Sequence, residues 1–409
     1  MLNVLWIGFF LTAFGAAVLQ FLGGDQNIFA AVMKAAFEAA KTAFEVALGL
    51  TGVMCLWLGV MKIGERAGFL ALLGRWLAPL FARLFPEVPR GHPALGSVTM
   101  NMAANILGLD NAATPIGLKA MRELHELNPD KDTASNAQIL FLVLNASSVT
   151  LLPVTIFTYR AQMGAVEPSD VFIPILMATY CSTLAGFLFV AAVQRICLDG
   201  VVLAWMGGLT AVVGGLAWYF GHLPAAVMTA HSSLLSNFFL LALIMIFLVG
   251  ALVKKVNAYE AFIEGAKEGF NTAVTIIPYL VAMLVAIAML RASGALPAFV
   301  EAVRAGVLAL GYDAAWVDGL PTMLMKPLSG SGARAMMVET MRVSGADSFA
   351  GRLASIVQGS TETTFYVLAV YFGSVGIKRV RHAVAGGLMA DLGGFVAAVF
   401  AAYLFFGGK

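Results

Sequence analysis

An apolar segment towards the C-terminal end of the chain contains the polar sequence Gln358-Gly-Ser-Thr-Glu-Thr-Thr-Phe-Tyr366. It carries the carboxylate of Glu362 and several hydroxyl groups, and apolar residues follow it directly from Val367 to Val370. A charge at the centre of a bilayer costs several kcal/mol, and lipid offers no partner to loosened backbone groups. We therefore expect this cluster to face protein or a water-filled cavity that the rest of the chain provides.

The composition of the whole chain indicates a membrane protein. Of its 409 residues, 60% are hydrophobic and 12% are charged, whereas soluble domains have about 25% charged residues. The apolar runs are long and do not alternate, so the sequence predicts an all-α polytopic membrane protein and not a β-barrel. The formal net charge of +2 is too small to indicate a nucleic-acid partner.

The sequence carries no signature of an enzyme or of a metal site. Cys55, Cys181 and Cys197 show no CxxC spacing, and the five histidines fall in loops without ligand spacing. No phosphate-binding loop, G-x-S-x-G or H-E-x-x-H motif is present. We therefore predict a protein that is not an enzyme and that uses no cofactor and no metal.

Long apolar segments predict nine membrane crossings, at 1–22, 46–63, 139–158, 171–196, 201–220, 234–253, 275–290, 352–371 and 383–406. Two of them predict broken helices, because polar residues interrupt 139–158 at Asn145–Ser148 and 352–371 at Gly359–Thr364. Amphipathic segments predict helices at the membrane surface, at 27–46, 65–85, 257–271 and 295–310.

Two further segments predict re-entrant hairpins, because each has apolar arms too short to cross a bilayer. The first covers residues 96–121 and is expected to turn at Gly108–Pro115. The second covers residues 320–341 and is expected to turn at Ser329–Gly332. The hydrophilic residues 123–135 are expected outside the membrane.

The order of these elements repeats, which predicts two similar halves at 1–200 and 234–409, joined by a linker helix and loop at 201–233. Each half has an even number of crossings, and one linker crossing lies between them. The second half therefore has the opposite orientation in the membrane. The distribution of Lys and Arg agrees with this inversion and predicts a cytoplasmic N-terminus. Inverted repeats with paired broken helices are typical of secondary transporters, whose binding site lies near the bilayer midplane.

Glu362 is the leading candidate for a functional residue. It would coordinate a cation, carry a proton or hydrogen-bond a solute; alternatively it pairs with Lys326 or Arg352, or caps the helix that starts near Thr363. Its neighbours Gln358, Ser360, Thr361 and Thr363 either bind solute or satisfy backbone groups freed by the break.

Other polar residues complete the candidate site, each with a structural alternative. At the first break these are Asn145, Ser147 and Ser148; on the first hairpin Asn101, Asn105, Asn111 and Thr114; at the second hairpin tip Ser329 and Ser331. They would bind solute, or they make hydrogen bonds between helices and within tight turns. Asp391, inside the last crossing, is either a proton site or an interface residue. A coupling ion, H⁺ or Na⁺, would use Glu362 or Asp391.

Two motifs carry a resemblance to a known family. The segment Asn101-Met-Ala-Ala-Asn-Ile-Leu-Gly-Leu-Asp-Asn-Ala-Ala-Thr-Pro-Ile-Gly-Leu-Lys-Ala-Met121 resembles the hallmark of the spore maturation A proteins. The second half, with Pro327-Leu-Ser-Gly-Ser-Gly332 and the 358–366 sequence, resembles the spore maturation B proteins. Both halves are similar to the "gate", or nucleoside-recognition, domain that concentrative nucleoside transporters share. The resemblance implies two gate-like repeats in a transporter-like protein of the bacterial inner membrane.

These observations together predict a secondary transporter for a small polar or anionic, nucleoside-like solute that works by alternating access. Two alternatives stay open: a non-transporting module that organises envelope proteins, and a flippase for lipids or lipid-linked precursors. The expected partners are a small-molecule solute and the lipid bilayer, and a homo-oligomer is compatible with the sequence.

Overall fold

The computed structural model describes residues 2–89, 91–147, 150–223 and 225–407, with the side chains of 2, 110–112, 225, 226 and 229 outside that description. The described part contains no strand, and its one β-type contact is an isolated bridge between Thr133 and Arg379. The prediction of an all-α fold is confirmed.

The first half of the chain begins with α1 (Leu2–Leu22), α2 (Ile28–Arg66) and α3 (Phe69–Leu84). It continues with α4 (Pro93–Ile106), α5 (Asp110–Glu126), α6 (Asn136–Ser147), α7 (Val154–Gln162) and α8 (Phe172–Gln194). The linker helix is α9 (Gly200–Gly221).

The second half follows the same order. It begins with α10 (Ala225–Val253), α11 (Ala258–Ala292), α12 (Ala295–Ala309) and a short 3-10 helix (Ala315–Gly319). It continues with α13 (Leu320–Met325), α14 (Gly330–Ser344), α15 (Phe349–Ser360), α16 (Thr364–Gly373) and α17 (Ala383–Phe406).

Seven helices within the described residues are long and apolar enough to cross a membrane: α1, α2, α8, α9, α10, α11 and α17. The two other predicted crossings are the broken ones, α6–α7 and α15–α16, whose separate segments are too short for that criterion. The chain is therefore a multi-pass membrane protein, as predicted.

The prediction of separate surface helices before the crossings at 46–63 and 275–290 is wrong. α2 runs without interruption for 39 residues and α11 for 35 residues. The junction at Glu45–Leu48 contains neither Gly nor Pro, so nothing there ends the helix. The sequence pattern changes from amphipathic to apolar at this point, but the helical backbone continues. Pro278 lies inside α11 without ending it.

The second break, at residues 361–363, falls inside the predicted Gly359–Thr364, whereas α6 continues through Asn145 to Ser147 and α7 begins at Val154. Both hairpins form where the sequence predicts them, but the turns are tighter. α4 ends at Ile106 and α5 begins at Asp110, so Pro115, expected in the turn, lies inside α5. A proline at this place removes one backbone hydrogen bond, and the helix continues through it. At the second hairpin the Gly330–Gly332 segment forms the first turn of α14.

Residue contacts divide the chain into two compact units. Unit 1 consists of residues 1–58, 155–168 and 266–358, and unit 2 of residues 59–154, 169–265 and 359–409. Each unit therefore contains one hairpin, the first segment of one broken helix and the second segment of the other. The division of the chain into domains at 1–200, 201–233 and 234–409 stays a prediction.

The core of unit 2 is built around α6, which is buried from Ala137 to Ser147. Beside it, α8 and α17 pack antiparallel through small residues, with Gly186 against Ala390 and Ser182 against Gly394. Small side chains allow helix backbones to approach closely in membranes. α8 and α17 occupy equivalent places in the two halves, so their antiparallel packing agrees with an inverted repeat. Inversion of the complete halves stays a prediction.

The core of unit 1 is built from α14 and α15. Met337, Val338, Leu353 and Ile356 are all completely buried there. α2 and α11 approach closely in the same unit, because a Cβ on Gly269 would lie 2.7 Å from the carbonyl oxygen of Met54. At position 269 this packing leaves room only for the hydrogen atom of a glycine and not for a larger side chain.

Candidate functional site

In unit 2 the break between α15 and α16 lies against the end of α6. Residues 361–363 are not helical. The backbone N–H of Glu362 donates to the carbonyl of Ala146 at 2.7 Å, and the hydroxyl oxygen of Thr361 lies 2.9 Å from the same carbonyl. The end of α6 and the second break therefore satisfy each other's backbone groups, which lipid would not do. Ser148 lies outside the described residues.

Asp391 on α17 is the buried carboxylate of this region, with 1% of its surface exposed. Thr361 donates its hydroxyl to Oδ1 and Thr364 donates its hydroxyl to Oδ2, each at 2.7 Å. One carboxylate thus holds residues on both sides of the break. Hydrogen bonds to a charged acceptor are stronger than those to a neutral one, so this link stabilises the unwound segment.

The side chain of Glu362 is exposed. Its neighbours Thr361 and Thr363 are buried, with 4% and 3% exposure. Thr363 has an extended backbone with ψ 96°, and successive side chains of an extended segment point to opposite sides. Within unit 2 the Glu362 carboxylate forms no ion pair with a described residue. Its role as a ligand for solute or ion stays a prediction.

A cluster of amides joins the first hairpin to α6 and α16. Asn105 donates to the side-chain oxygen of Asn145 at 2.9 Å and to that of Asn101 at 3.3 Å. The hydroxyl of Tyr371 donates to the same Asn145 oxygen at 3.3 Å. Asn101, Asn145 and Tyr371 are buried, and Asn105 is half-buried. Neutral side chains of three elements therefore form one hydrogen-bonded group, which we call the amide cluster.

Several other predicted site residues belong to unit 2 but are not part of the amide cluster or of the hydrogen bonds to Asp391. Ser147 is buried and its carbonyl accepts a hydrogen bond from Thr183 at 3.2 Å. Ser360 is buried at the end of α15, and its oxygens lie 3.2 Å from the place of a Cβ on Gly394. Thr114 is half-buried on α5. The side chain of Asn111 lies outside the description.

Three predicted site residues belong to unit 1. Ser329 is the N-cap of α14 and accepts the backbone N–H of Gly332 at 3.0 Å, while its hydroxyl lies 3.2 Å from that of Ser331. This geometry agrees with the structural alternative for the hairpin tip. Gln358 is buried, with 8% exposure, and its side-chain oxygen has no hydrogen-bond partner among the described residues. A solute that donates a hydrogen bond would satisfy that oxygen.

Sequence reasoning missed Thr364 and Tyr371. A signal was present, because the two residues are seven positions apart and so lie on the same face of α16. Ser182, on α8, was also missed. Its hydroxyl is completely buried and has no hydrogen-bond partner among the described residues.

Unit 1 also contains buried ion pairs, which the sequence did not indicate. Arg160 is completely buried, donates to the carbonyl of Ala346 at 2.8 Å and lies 3.1 Å from the carboxylate of Asp347. Glu339, with 6% exposure, accepts two hydrogen bonds from Arg342 at 2.9 Å. Arg291 Nε lies 2.5 Å from the same carboxylate, but it is angled so that no hydrogen bond forms.

Charged residues at one end of unit 2 tie α6 to α16. The backbone of Ala134, just before α6, donates to Arg379 at 3.0 Å, and Arg379 pairs with Asp130 at 3.1 Å. Since the end of α6 contacts residues that precede α16, the two helices run antiparallel. The hydroxyl of Thr133 and, to a smaller extent, Arg379 hold the pKa of Asp130 below its usual range. Burial, reinforced by Arg381, lowers the pKa of His382.

The polar side chains at the break in unit 2 provide hydrogen-bond donors and acceptors. No group of three or more His, Cys, Asp or Glu side chains comes together as metal ligands in the described ranges. Amides and hydroxyls offer both donors and acceptors.

Comparison with known proteins agrees with this organisation. A profile of the Gate family, described as nucleoside recognition, matches residues 47–163 and 273–378. Spore maturation protein A of Bacillus subtilis strain 168 is 37% identical over 188 residues, which are 46% of this chain and 93% of that protein. Spore maturation protein B of the same organism is 49% identical over 175 residues, 42% of this chain and 97% of that protein. No solved structure matched.

Each of the two profile matches contains one hairpin and one broken helix. Residues 47–163 contain α4 to α7, and residues 273–378 contain α13 to α16. The two halves of the chain are therefore homologous to two separate proteins of one organism. The family profile covers α6 and α16, the helices that meet at the break in unit 2.

Proposed function

Because the chain belongs to the Gate (nucleoside recognition) family of transporter-like membrane proteins, we propose that it is a secondary transporter of the bacterial inner membrane. It moves a small polar or anionic solute, nucleoside-like in its hydrogen bonding, by alternating access. Its N-terminus is cytoplasmic. The Gate family is associated with membrane transport and not with catalysis.

The observation that supports this proposal is the meeting of two broken helices in unit 2. The end of α6 and the start of α16 run antiparallel, and the break at Thr361–Thr363 bonds to Ala146. Transporters with inverted repeats bind substrate where helices are broken, because the freed backbone groups and nearby polar side chains supply hydrogen bonds. The amide cluster lies on the same α6 and α16 helices.

The chemistry of the cluster favours an uncharged solute over an anion. Asn101, Asn105, Asn145 and Tyr371 offer neutral donors and acceptors. Nucleosides present both groups on the base and hydroxyls on the ribose, so they match such a set. An anion would need a cation or several free N–H groups to replace its lost hydration.

Asp391 is the proposed coupling residue, and H⁺ is the proposed coupling ion. Protonation would remove the charge that Thr361 and Thr364 now stabilise from both sides of the break. The hydroxyls would then be free to exchange partners, which would loosen the unwound segment. Proton binding and movement of the broken helix would thereby share one group.

The experiment that tests the proposal has two steps. First, the midpoint of thermal unfolding of the purified protein is measured with uridine, adenosine, guanosine and uridine monophosphate, since a ligand that prefers the native state raises it. Second, uptake of the best stabiliser is measured in proteoliposomes with and without a pH gradient. We expect the uncharged nucleosides to give the larger shifts and uptake to follow the gradient.

Variants separate coupling from binding. Asp391→Asn should abolish gradient-driven uptake while the thermal shift by solute is kept, and the exposed Glu45→Gln should leave both unchanged. Glu362→Gln tests the second candidate for coupling in the same assay. If a sodium gradient drives uptake and a pH gradient does not, the coupling ion is Na⁺ and not H⁺. If no solute shifts the midpoint and none is taken up, transport is the wrong function.

A further inference from the structure

A groove of about 600 Å³ opens on the surface of unit 2, between the start of α3 and the end of α10. Its walls are apolar and include Phe69, Leu72, Met245, Ile246, Val249 and Val253. Phe69 closes its floor, since its ring packs 5.0 Å from that of Phe247 and directly over Gly250. α10 is a candidate membrane span, so an apolar groove at its end is accessible to acyl chains.

Two cations, Arg75 and Lys254, line the same groove. Both are exposed, and neither has an ion-pair partner among the described residues. Two other cations of this unit are paired: Lys62 lies 3.5 Å from Glu264, and Arg83 pairs with Asp199. The charge of the groove is therefore left for a partner outside the chain.

Lys254 directly follows the last residue of α10, so it lies where a membrane helix reaches the headgroup region. Arg75 lies on α3, an amphipathic helix whose buried residues include Leu70, Gly74 and Leu77. An amphipathic helix of this kind lies in the plane of the interface. Both charges are thus at headgroup depth, and the apolar walls continue from them along α10.

We propose that the groove between α3 and α10 binds one anionic phospholipid, with its phosphate between Arg75 and Lys254 and an acyl chain along the apolar wall. Basic pockets between membrane helices bind anionic headgroups, and each Lys or Arg at the surface contributes to the attraction. A free phosphate ion would use the two cations but would leave the apolar walls uncovered. The occupant is therefore a lipid and not a soluble anion.

Native mass spectrometry of the delipidated full-length protein tests this inference. Phosphatidylglycerol and phosphatidylcholine with identical acyl chains are titrated in parallel, and glycerol 3-phosphate serves as the headgroup without chains. We expect one phosphatidylglycerol to bind at least about tenfold more tightly than phosphatidylcholine, which is about 1.4 kcal/mol. Glycerol 3-phosphate should not compete.

Charge and groove variants make the test specific. Arg75→Gln and Lys254→Gln should each weaken phosphatidylglycerol about fivefold, and the double variant roughly thirtyfold, as expected for two surface cations. Lys255→Gln, which removes the next exposed cation outside the groove, is the matched control and should change nothing. Ala71→Phe fills the groove without touching a charge and should weaken both lipids.

Three outcomes would overturn the proposal. The first is equal binding of the two lipids by the unchanged protein. The second is an unchanged affinity for phosphatidylglycerol in the Arg75→Gln, Lys254→Gln double variant. The third is competition by glycerol 3-phosphate, which would make the site one for a soluble anion.

Discussion

In unit 1 the buried side chains of Arg160 and Glu339 are paired as ions, whereas in unit 2 the buried side chains of the amide cluster are neutral. Arg160 and Glu339 each have a partner of opposite sign, and Lys326 is a third buried charge of unit 1. In unit 2 the amide cluster carries no charge, and Asp391 is held by two Thr hydroxyls. Yet each unit contains one hairpin and one segment of each broken helix.

The difference concerns how easily partners are exchanged. A buried charge that loses its partner costs several kcal/mol, so ion pairs fix one geometry. A neutral hydrogen bond contributes about 1 kcal/mol net, and a solute with matching groups can replace it at little cost. The hydrogen bonds of the amide cluster in unit 2 are therefore easier to exchange than the ion pairs of Arg160 and Glu339 in unit 1.

The largest effect is expected for Arg160→Met in unit 1. The substitution keeps an apolar stem but leaves the Ala346 carbonyl and the Asp347 carboxylate without their buried partner. We expect a loss of about 3 kcal/mol of unfolding free energy, measured by denaturation in detergent micelles. Arg352→Met, which removes a more exposed cation from the same carboxylate, is the control and should cost less. Equal costs would mean that burial of Arg160 does not matter.

An intermediate effect is expected for Asn145→Leu in unit 2. The side chains of Asn105 and Tyr371 lose a shared acceptor, which should cost about 2 kcal/mol of unfolding free energy. The double variant Asn145→Leu, Tyr371→Phe should be more stable than Asn145→Leu alone, because it removes a donor left unpaired. A double variant that is less stable would contradict the account of the amide cluster as exchangeable neutral bonds.

The smallest effect is expected from pH at the charged end of unit 2. Burial lowers the pKa of His382 below the ordinary 6.5, so the unfolded chain binds more protons than the folded one. Stability is then complete above pH 6.5 and is lost as the pH falls through the folded pKa. The neutral ring also accepts from Gln194, at 3.0 Å.

The measurement is the midpoint of thermal unfolding between pH 7.5 and 5.5. Its decrease on acidification should be smaller in His382→Gln than in the unchanged protein. Asp130 does not interfere in this window, because its lowered pKa places its own contribution at more acidic pH, where stability falls as the carboxylate is protonated. An identical pH dependence of the two proteins would exclude His382 as the cause.

Much of the fold follows from local sequence. Polar residues inside apolar segments located the breaks beside Asn145 and at Gly359–Thr364, because a membrane helix tolerates freed backbone groups only where protein satisfies them. The hairpins followed from the length of their arms. Asp391 was singled out because an ionisable residue inside an apolar helix requires a partner.

The sequence did not predict features that depend on the orientation of a side chain or on contacts between residues far apart in the chain. The exposure of Glu362 follows from the extended backbone of the break, which no local pattern specifies. Tyr371 reaches Asn145 across 226 positions, and Arg160 meets Asp347 across 187. The continuity of α2 was missed because the amphipathic pattern was taken as a separate element, although no residue at the junction ends a helix.

The division of the chain into units has a consequence for assembly. Neither half contains a complete unit, since each unit takes segments from both halves. Two separate chains that corresponded to the halves would have to associate before either unit could form. Here α9 joins them covalently, which makes that association intramolecular, with an effective concentration on the order of millimolar for a short connection. The linker thus fixes the ratio of the two halves at one to one.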